Sequence, residues 1–134
     1  MDLVILGCGR VGARVANLAD RRYRITVIDW NSRAFERLRP DFSGDTVLGN
    51  GIDVDVLRSA GAADARLFLA LTDNDDSNLM AAQVARRLGA RRVVARLYDQ
   101  VRADVFEDMG VTTVSPTING AKSIFNRIIA PEGA

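Results

Sequence analysis

Residues 2–29 read DLVILGCGRVGARVANLADRRYRITVID. An apolar run, Leu3 to Leu6, enters a glycine-rich turn. A helix-like stretch from Arg10 to Arg21 follows, and a second apolar run, Ile25 to Ile28, ends in Asp29. Strand, glycine turn, helix and strand in that order make a βαβ unit. Within G-C-G-R-V-G the three glycines have separate tasks. Gly7 permits the tight turn out of the strand, Gly9 lets backbone approach a pyrophosphate, and Gly12 lets the helix pack close to the strand. The helix N-terminus then offers free N–H groups and a partial positive charge to phosphates. Asp29 stands 22 positions beyond Gly7, where a carboxylate accepts from ribose hydroxyls. Its charge opposes a 2′-phosphate, which favours NAD over NADP. It does not separate NAD from ATP or ADP, which present the same ribose.

Arg10 lies inside the turn and can place a guanidinium on a phosphate. As a merely exposed first-turn arginine it would sit against the positive end of the helix dipole, so the phosphate reading is preferred. Arg33 lies near Asp29, but reads as the solvated face of a short helix. Cys8 has two readings: a nucleophile activated by the helix N-terminus, or a small filler between strand and helix. The filler is preferred. Val11 and Trp30 adjoin these residues and complete the first part of the candidate site.

Outward from this unit, apolar runs keep alternating with helix-like segments. A helix is expected over Arg10–Arg21 with Val11, Val15, Leu18 and Ala19 on one face, then a short helix from Ser32 to Arg39 before Pro40. Thr46–Leu48 is a brief third strand, and Val54–Ala60 a helix stopped by Gly61. Leu67–Leu71 is apolar at every position, as suits a parallel strand covered on both faces. Asp75–Leu88 is a helix with Met80, Val84 and Leu88 in register and Gly89 closing it. Val93–Ala95, a helix over Gln100–Met109 and the strand Val111–Val114 follow. A last helix runs from Ile118 to about Ala130, before Pro131. Crossovers of this length predict an α/β fold: a Rossmann-type doubly wound parallel sheet of about six strands with helices on both faces.

The sheet uses nearly all of the 134 residues, so a single domain over 1–134 is expected. Apolar residues make up 48% of the chain, enough for a packed core. The net charge of +1 provides no strong field for nucleic acid. No apolar run reaches the length of a bilayer span. One cysteine excludes an internal disulfide and fits a reducing cytoplasm.

The composition also argues against catalysis. There is no histidine, which removes the commonest proton relay and zinc ligand. Little chain remains for a substrate domain. Lys122, the only lysine, reads as solvated on the last helix. Asp73, Asp75 and Asp76 cluster at the mouth of a helix, where they read as N-caps and dipole partners rather than metal ligands. No catalytic residue and no metal site are expected.

From Val47 onward the stretch VLGNGIDVDVLRSAGAADARLFLALTDNDDSNLMAAQVARRLGARRVVARLYD resembles the nucleotide-binding domain of potassium-transport regulators: the TrkA-N or KTN family, the N-lobe of RCK domains. The matching features are Gly49-Asn50 after the third strand and Ala60-Gly61 at the helix end. They continue with Ala70-Leu71-Thr72, Asp75 and Asn78 around the fourth strand, then Ala95-Arg96 and Ser115-Pro116. The resemblance implies binding of NAD(H) or an adenine nucleotide such as ATP, ADP or AMP. On it, Gly7, Gly9, Arg10, Gly12 and Asp29 carry phosphates and ribose. Asn50 and Gly51 line the adenine end, Thr72 borders the pocket across the switch point, and Arg96 is a secondary candidate for a phosphate or subunit contact. Asn50 stands where the family more often has aspartate. Thr117 follows Pro116 where some ATP-binding relatives carry a cation-linked glutamate. Family members often continue into a C-terminal ligand-binding lobe, and the given sequence stops before one.

In the last helix Ile118, Ala121, Ile124, Phe125, Ile128 and Ile129 fall on one face. Packing on its own sheet explains such a stripe. The resemblance implies instead a helix that crosses over to a second subunit. A homodimer, and in larger assemblies a ring, is expected on that basis. The implied function is regulatory: nucleotide-dependent conformational change acting on a membrane-embedded potassium transporter or channel subunit, from the cytoplasmic face of the membrane. The alternative is a small NAD-dependent oxidoreductase, or the detached cofactor domain of one.

Overall fold

The strand that precedes the glycine turn becomes the centre of the sheet. A computed structural model describes residues 2–133. Its strands are β1 (Asp2–Leu6), β2 (Arg24–Asp29), β3 (Asp45–Leu48), β4 (Leu67–Ala70), β5 (Arg92–Arg96) and β6 (Thr112–Val114). All pairings are parallel, in the order β3-β2-β1-β4-β5-β6. Ile5 of β1 lies opposite Val27 of β2 and Leu69 of β4. The winding direction reverses between β1 and β4, and the connections leaving these two strands part to opposite sides. A crevice opens there, at the carboxyl ends.

The helices are α1 (Arg10–Ala19), α2 (Val54–Ser59), α3 (Asp75–Leu88), α4 (Gln100–Asp108) and α5 (Pro116–Ile124). A π turn (Phe125–Ile129) joins α5 to α6 (Ala130–Gly133), and 3-10 turns span Ser32–Arg37 and Ala62–Asp64. Among the described residues no helix is long and apolar enough to cross a membrane.

Alternating side chains of the strands feed two cores. Val4, Leu6, Phe68, Ala70, Val93 and Ala95 pack with Leu57 of α2, the Leu79, Ala81, Ala82 and Ala85 row of α3, and Ala103 of α4. On the other face Leu3, Ile5, Ile25 and Val27 pack with Ala13 and Ala16 of α1 and with Ala34 and Leu38.

Small residues set how the helices sit, and this corrects two expected faces. Gly12, Ala13 and Ala16 bring α1 onto the sheet, which leaves Leu18 71% exposed. The buried side of α3 runs through Asn78, Leu79, Ala81, Ala82 and Ala85. Val84 and Leu88 flank it, and Met80 is 52% exposed. Alanine and glycine rows allow the closest helix approach, so the bulkier side chains move to the margin or outward. The first helix also ends at Ala19 rather than Arg21, and Arg21 takes a left-handed φ of 71°. In β4, Phe68 and Ala70 are fully buried while Leu67 and Leu69 are half-buried. That strand is therefore fully covered on only one face.

The last helix differs most. It begins at Pro116, with Ser115 as its cap accepting from the Ile118 N–H at 3.2 Å. Proline is suited to such a first position, where its missing N–H has no intrahelical partner to lose. The helical path also continues through Pro131 to Gly133. The π turn contains Arg127, whose carbonyl an ordinary helix would drive into the Pro131 ring, and widening there relieves the clash. None of the described residues of α5 or the π turn is buried. Ile124 is 60% exposed, and Phe125, Ile128 and Ile129 are each more than half exposed. The apolar stripe is not used on the domain's own sheet.

Candidate nucleotide cleft

The crevice at the carboxyl ends of β1, β2 and β4 has two adjoining lobes. The first, about 370 Å³, is bordered by Asp29, Trp30, Asn50, Gly51, Thr72 and Asn74. The second, about 630 Å³, is bordered by Gly9, Arg10, Val11, Arg37, Arg96 and Tyr98. Gly7, Asp29, Trp30, Thr72 and Asp73 line both and form the shared wall.

The glycine turn separates structural from unfilled positions. Gly7 holds φ at +103°, and its N–H donates to the Ile28 carbonyl at 2.7 Å. A side chain on Gly12 would place its Cβ 1.8 Å from the Gly7 oxygen, so helix and strand meet there without room. Gly9 is different. Its φ of −81° suits any residue, and a Cβ built on it meets nothing within 4 Å. The domain's own packing does not require glycine at position 9. Helix starts elsewhere point the same way. Asp53, Asn74, Asp99 and Ser115 cap α2, α3, α4 and α5 through their side chains, whereas α1 begins at Gly9 with no capping side chain. Its first-turn N–H groups keep the capacity to bind an anion.

Asp29 is fixed by backbone. One carboxylate oxygen accepts the Cys8 N–H at 2.8 Å and the other the Asn31 N–H at 2.9 Å. Cys8 itself is fully buried beneath the turn. Burial, and next the Asp29 carboxylate, push its thiol up from 9.0 to about 11, against a smaller opposing pull from Arg37. A neutral, enclosed thiol is a filler rather than a nucleophile. Trp30, 78% exposed, stands beside Asp29 at the junction of the lobes. Asn50 accepts the Ile52 N–H at 3.1 Å, which shapes the loop after β3. Gly51 is buried against Leu6, and a Cβ there would come within 2.2 Å of that side chain.

Of the residues expected at the site, Gly7, Gly9, Arg10, Val11, Asp29, Trp30, Asn50, Gly51, Thr72 and Arg96 border the cleft. Cys8 and Gly12 lie beneath it. Arg33 borders neither lobe, whereas Arg37 borders the second and donates to the Cys8 carbonyl at 3.4 Å. Sequence pattern missed Arg37 because the segment is a 3-10 turn. With three residues per turn, positions four apart lie on different faces. Tyr98 was also missed. It stacks under the Arg96 guanidinium, 4.8 Å from centroid to Cζ, and its hydroxyl accepts from Arg96 Nη2.

The acidic cluster is arranged differently from expectation. Asn74, not an aspartate, caps α3. Asp75 reaches across to accept the N–H groups of Tyr98 and Asp99, each at 3.0 Å through Oδ2. It anchors the loop that carries Tyr98.

A parallel 3-2-1-4-5-6 sheet with a glycine turn and an acidic strand end at its switch point defines the Rossmann class of nucleotide-binding folds. Within that class the chain belongs to the TrkA-N domain family, whose model matches residues 3–116. It is 40% identical over 136 residues to the Trk system potassium uptake protein TrkA of Streptomyces coelicolor, covering 100% of this chain and 60% of that protein. The chain thus spans about three-fifths of that relative's length. The AMP-bound form of the Shewanella denitrificans Kef CTD matches with a TM-score of 0.81 and 24% identity, over 100% of this chain and 83% of that one. The GsuK channel bound to NAD matches with a TM-score of 0.65 and 22% identity, over 84% of this chain and 21% of that one. These two likenesses establish a shared fold.

Proposed function

We propose that this domain is a nucleotide-sensing regulatory unit of a potassium uptake system. An adenine nucleotide, NAD(H) or ATP, ADP or AMP, occupies the cleft and is read rather than transformed. The observation that carries this reading is the unfilled space over Gly9, with the uncapped start of α1 behind it and the pre-positioned Asp29 carboxylate across from it. Glycine at position 9 serves a ligand's approach, because nothing in the domain itself occupies the space a side chain would take. The Streptomyces relative's role in potassium uptake, and the AMP and NAD bound by the two structural neighbours, support extending the reading to this chain.

Regulation follows if occupancy favours one of two arrangements of a homodimer. A ligand shifts such an equilibrium only by its differential affinity for the two. The exposed stripe on α5 and the π turn supports a second subunit, with a membrane-embedded potassium transporter or channel subunit as the reader of the change. The working site is then the cytoplasmic face of the membrane. A chain without histidine and with its one thiol buried and neutral offers little for proton or group transfer, which supports a non-enzymatic role.

Calorimetric titration with NAD, NADH, ATP, ADP and AMP tests the reading, with Trp30 emission as a second signal. Saturable one-to-one binding of at least one of the five is expected. Binding of none overturns the nucleotide reading. Oxidation of NADH with a panel of carbonyl compounds would favour the oxidoreductase alternative.

A further inference from the structure

Asn78 lies on the first turns of α3, is fully buried, and is not itself part of the cleft. Its amide is fully engaged. Oδ1 accepts the Thr72 N–H at 3.0 Å and the Thr72 hydroxyl at 2.6 Å. Nδ2 donates to the Thr72 carbonyl and to the Arg96 carbonyl, both at 2.9 Å. Thr72 follows β4 and Arg96 ends β5, and the ladder between those strands stops at the Ala70–Ala95 pair. Beyond that pair the two strand ends are joined by this one side chain in place of a backbone ladder.

Both residues so joined border the cleft. Thr72 lies on the wall shared by the two lobes, and its N–H sits 3.0 Å from where a Gly7 side chain would begin. Arg96 borders the second lobe, with its Nε buried and without a hydrogen-bond partner. Its guanidinium rests on Tyr98, whose own N–H is held by Asp75, one turn before Asn78 on α3. Two side chains of a single helix turn thus hold the strand end and the loop that carry Arg96 and Tyr98.

We propose that Asn78 is the positioning residue of the second lobe: it fixes Arg96 against the glycine turn, so that a ligand extending past its first phosphate meets a guanidinium already in place. This rests on the nucleotide reading above. A buried amide with every donor and acceptor satisfied resists rearrangement, since moving either strand end strands a polar group. Rigid placement of a contact group lowers what binding must spend on ordering it. On this placement AMP ends at its one phosphate, at the glycine turn, whereas NAD continues beyond it toward Arg96 in the same lobe, so the effect of Asn78 is expected on NAD.

The test uses Asn78→Asp, which keeps one oxygen to accept from both Thr72 donors but sets the other against the Thr72 and Arg96 carbonyls, and Asn78→Ser as a smaller second variant. AMP and NAD are titrated into each, alone and combined with Arg96→Gln. The expected result is a roughly tenfold loss of NAD affinity with AMP held within about twofold, and no further NAD loss when Arg96→Gln is already present. An equal loss for both ligands overturns the assignment, as does an undiminished Asn78 effect on the Arg96→Gln background. If neither variant melts cooperatively, Asn78 is a core staple and the assignment also falls. Failure of the unmodified chain to bind either ligand is a different outcome: it removes the nucleotide reading, and this one with it.

Discussion

The carboxylate of Asp29 accepts the Cys8 N–H at 2.8 Å, tying the end of β2 to the glycine turn that leaves β1. Its second oxygen is held by the Asn31 N–H at 2.9 Å. Two backbone donors thus orient the carboxylate before any ligand arrives, while each oxygen keeps acceptor capacity for a ribose hydroxyl. Hydrogen bonds to a charged group are worth about 1.5–3 kcal/mol each, so Asp29→Ala should weaken adenine-nucleotide binding by at least roughly tenfold. Asp29→Asn keeps the bond geometry for one backbone donor and should lose less. Calorimetry on both variants measures this, and a thermal melt checks that the domain stays folded. Affinity unchanged in Asp29→Ala would remove the residue from the site.

The Cys8 thiol, pushed up to about 11 from 9.0 chiefly by burial, gives a stability effect of definite sign. Below about pH 9 the thiol is neutral in both folded and unfolded chains and costs nothing. Between about pH 9 and 11 the unfolded chain ionises while the folded one does not, so stability falls as pH rises. Urea unfolding at pH 8 and near pH 10 should show that loss, and Cys8→Ala should abolish the part due to the thiol. Alkylation by iodoacetamide at pH 8 should be far slower in the folded chain than in urea. Equal rates would show that the thiol is open to solvent.

The first βαβ unit, residues 2–29, is legible because several signals coincide there. The Gly7, Gly9 and Gly12 spacing, the apolar runs on either side and Asp29 at the strand end admit one arrangement. Leu18 and Met80 fall on apolar stripes by spacing, yet close packing puts the alanines of α1 and α3 against the sheet and turns both larger side chains outward. Arg37 was hidden by a 3-10 turn, in which α-helical spacing fails. Asn78 was visible as a motif residue, but its bonds join Thr72 to Arg96 across 18 positions of chain between Asn78 and Arg96, and spacing alone does not reveal such a contact. The stripe on α5 was legible as a stripe. Its direction was not, since periodicity marks an apolar face without saying whose surface covers it.

That stripe leads to a prediction about assembly. Ile124, Phe125, Ile128 and Ile129 are all more than half exposed on one helical segment. Fully burying an aliphatic or aromatic side chain of this size contributes about 1.5–3 kcal/mol, so a few such anchors on each partner can offset the cost of association. The unmodified chain should run as a dimer at micromolar concentration by light scattering. Ile124→Asp combined with Phe125→Asp should run as a monomer with little change in thermal stability, because neither side chain supports the domain's own core. A monomeric unmodified chain would end the dimer proposal.

Gly9 and Gly12 give the sharpest separation between folding and binding. A Cβ at position 12 would lie 1.8 Å from the Gly7 oxygen, which is backbone and has no side chain to swing aside. Gly12→Ala must therefore push α1 away from β1, and it should lower the melting temperature steeply or prevent folding. A Cβ at position 9 meets nothing within 4 Å, and the φ of −81° there suits alanine. Gly9→Ala should melt within a few degrees of the unmodified chain, and alanine's narrower unfolded ensemble should favour it slightly. The added methyl nonetheless occupies the space through which a phosphate would reach the first N–H groups of α1. Nucleotide affinity should then fall by more than roughly tenfold, the equivalent of losing one or two phosphate hydrogen bonds. The pairing matters because each variant controls for the other: one methyl group, three residues apart, on the same turn. If Gly9→Ala binds nucleotide as well as the unmodified chain, the space above Gly9 is not a phosphate path, and the ligand must enter the cleft by the lobe beside Asn50.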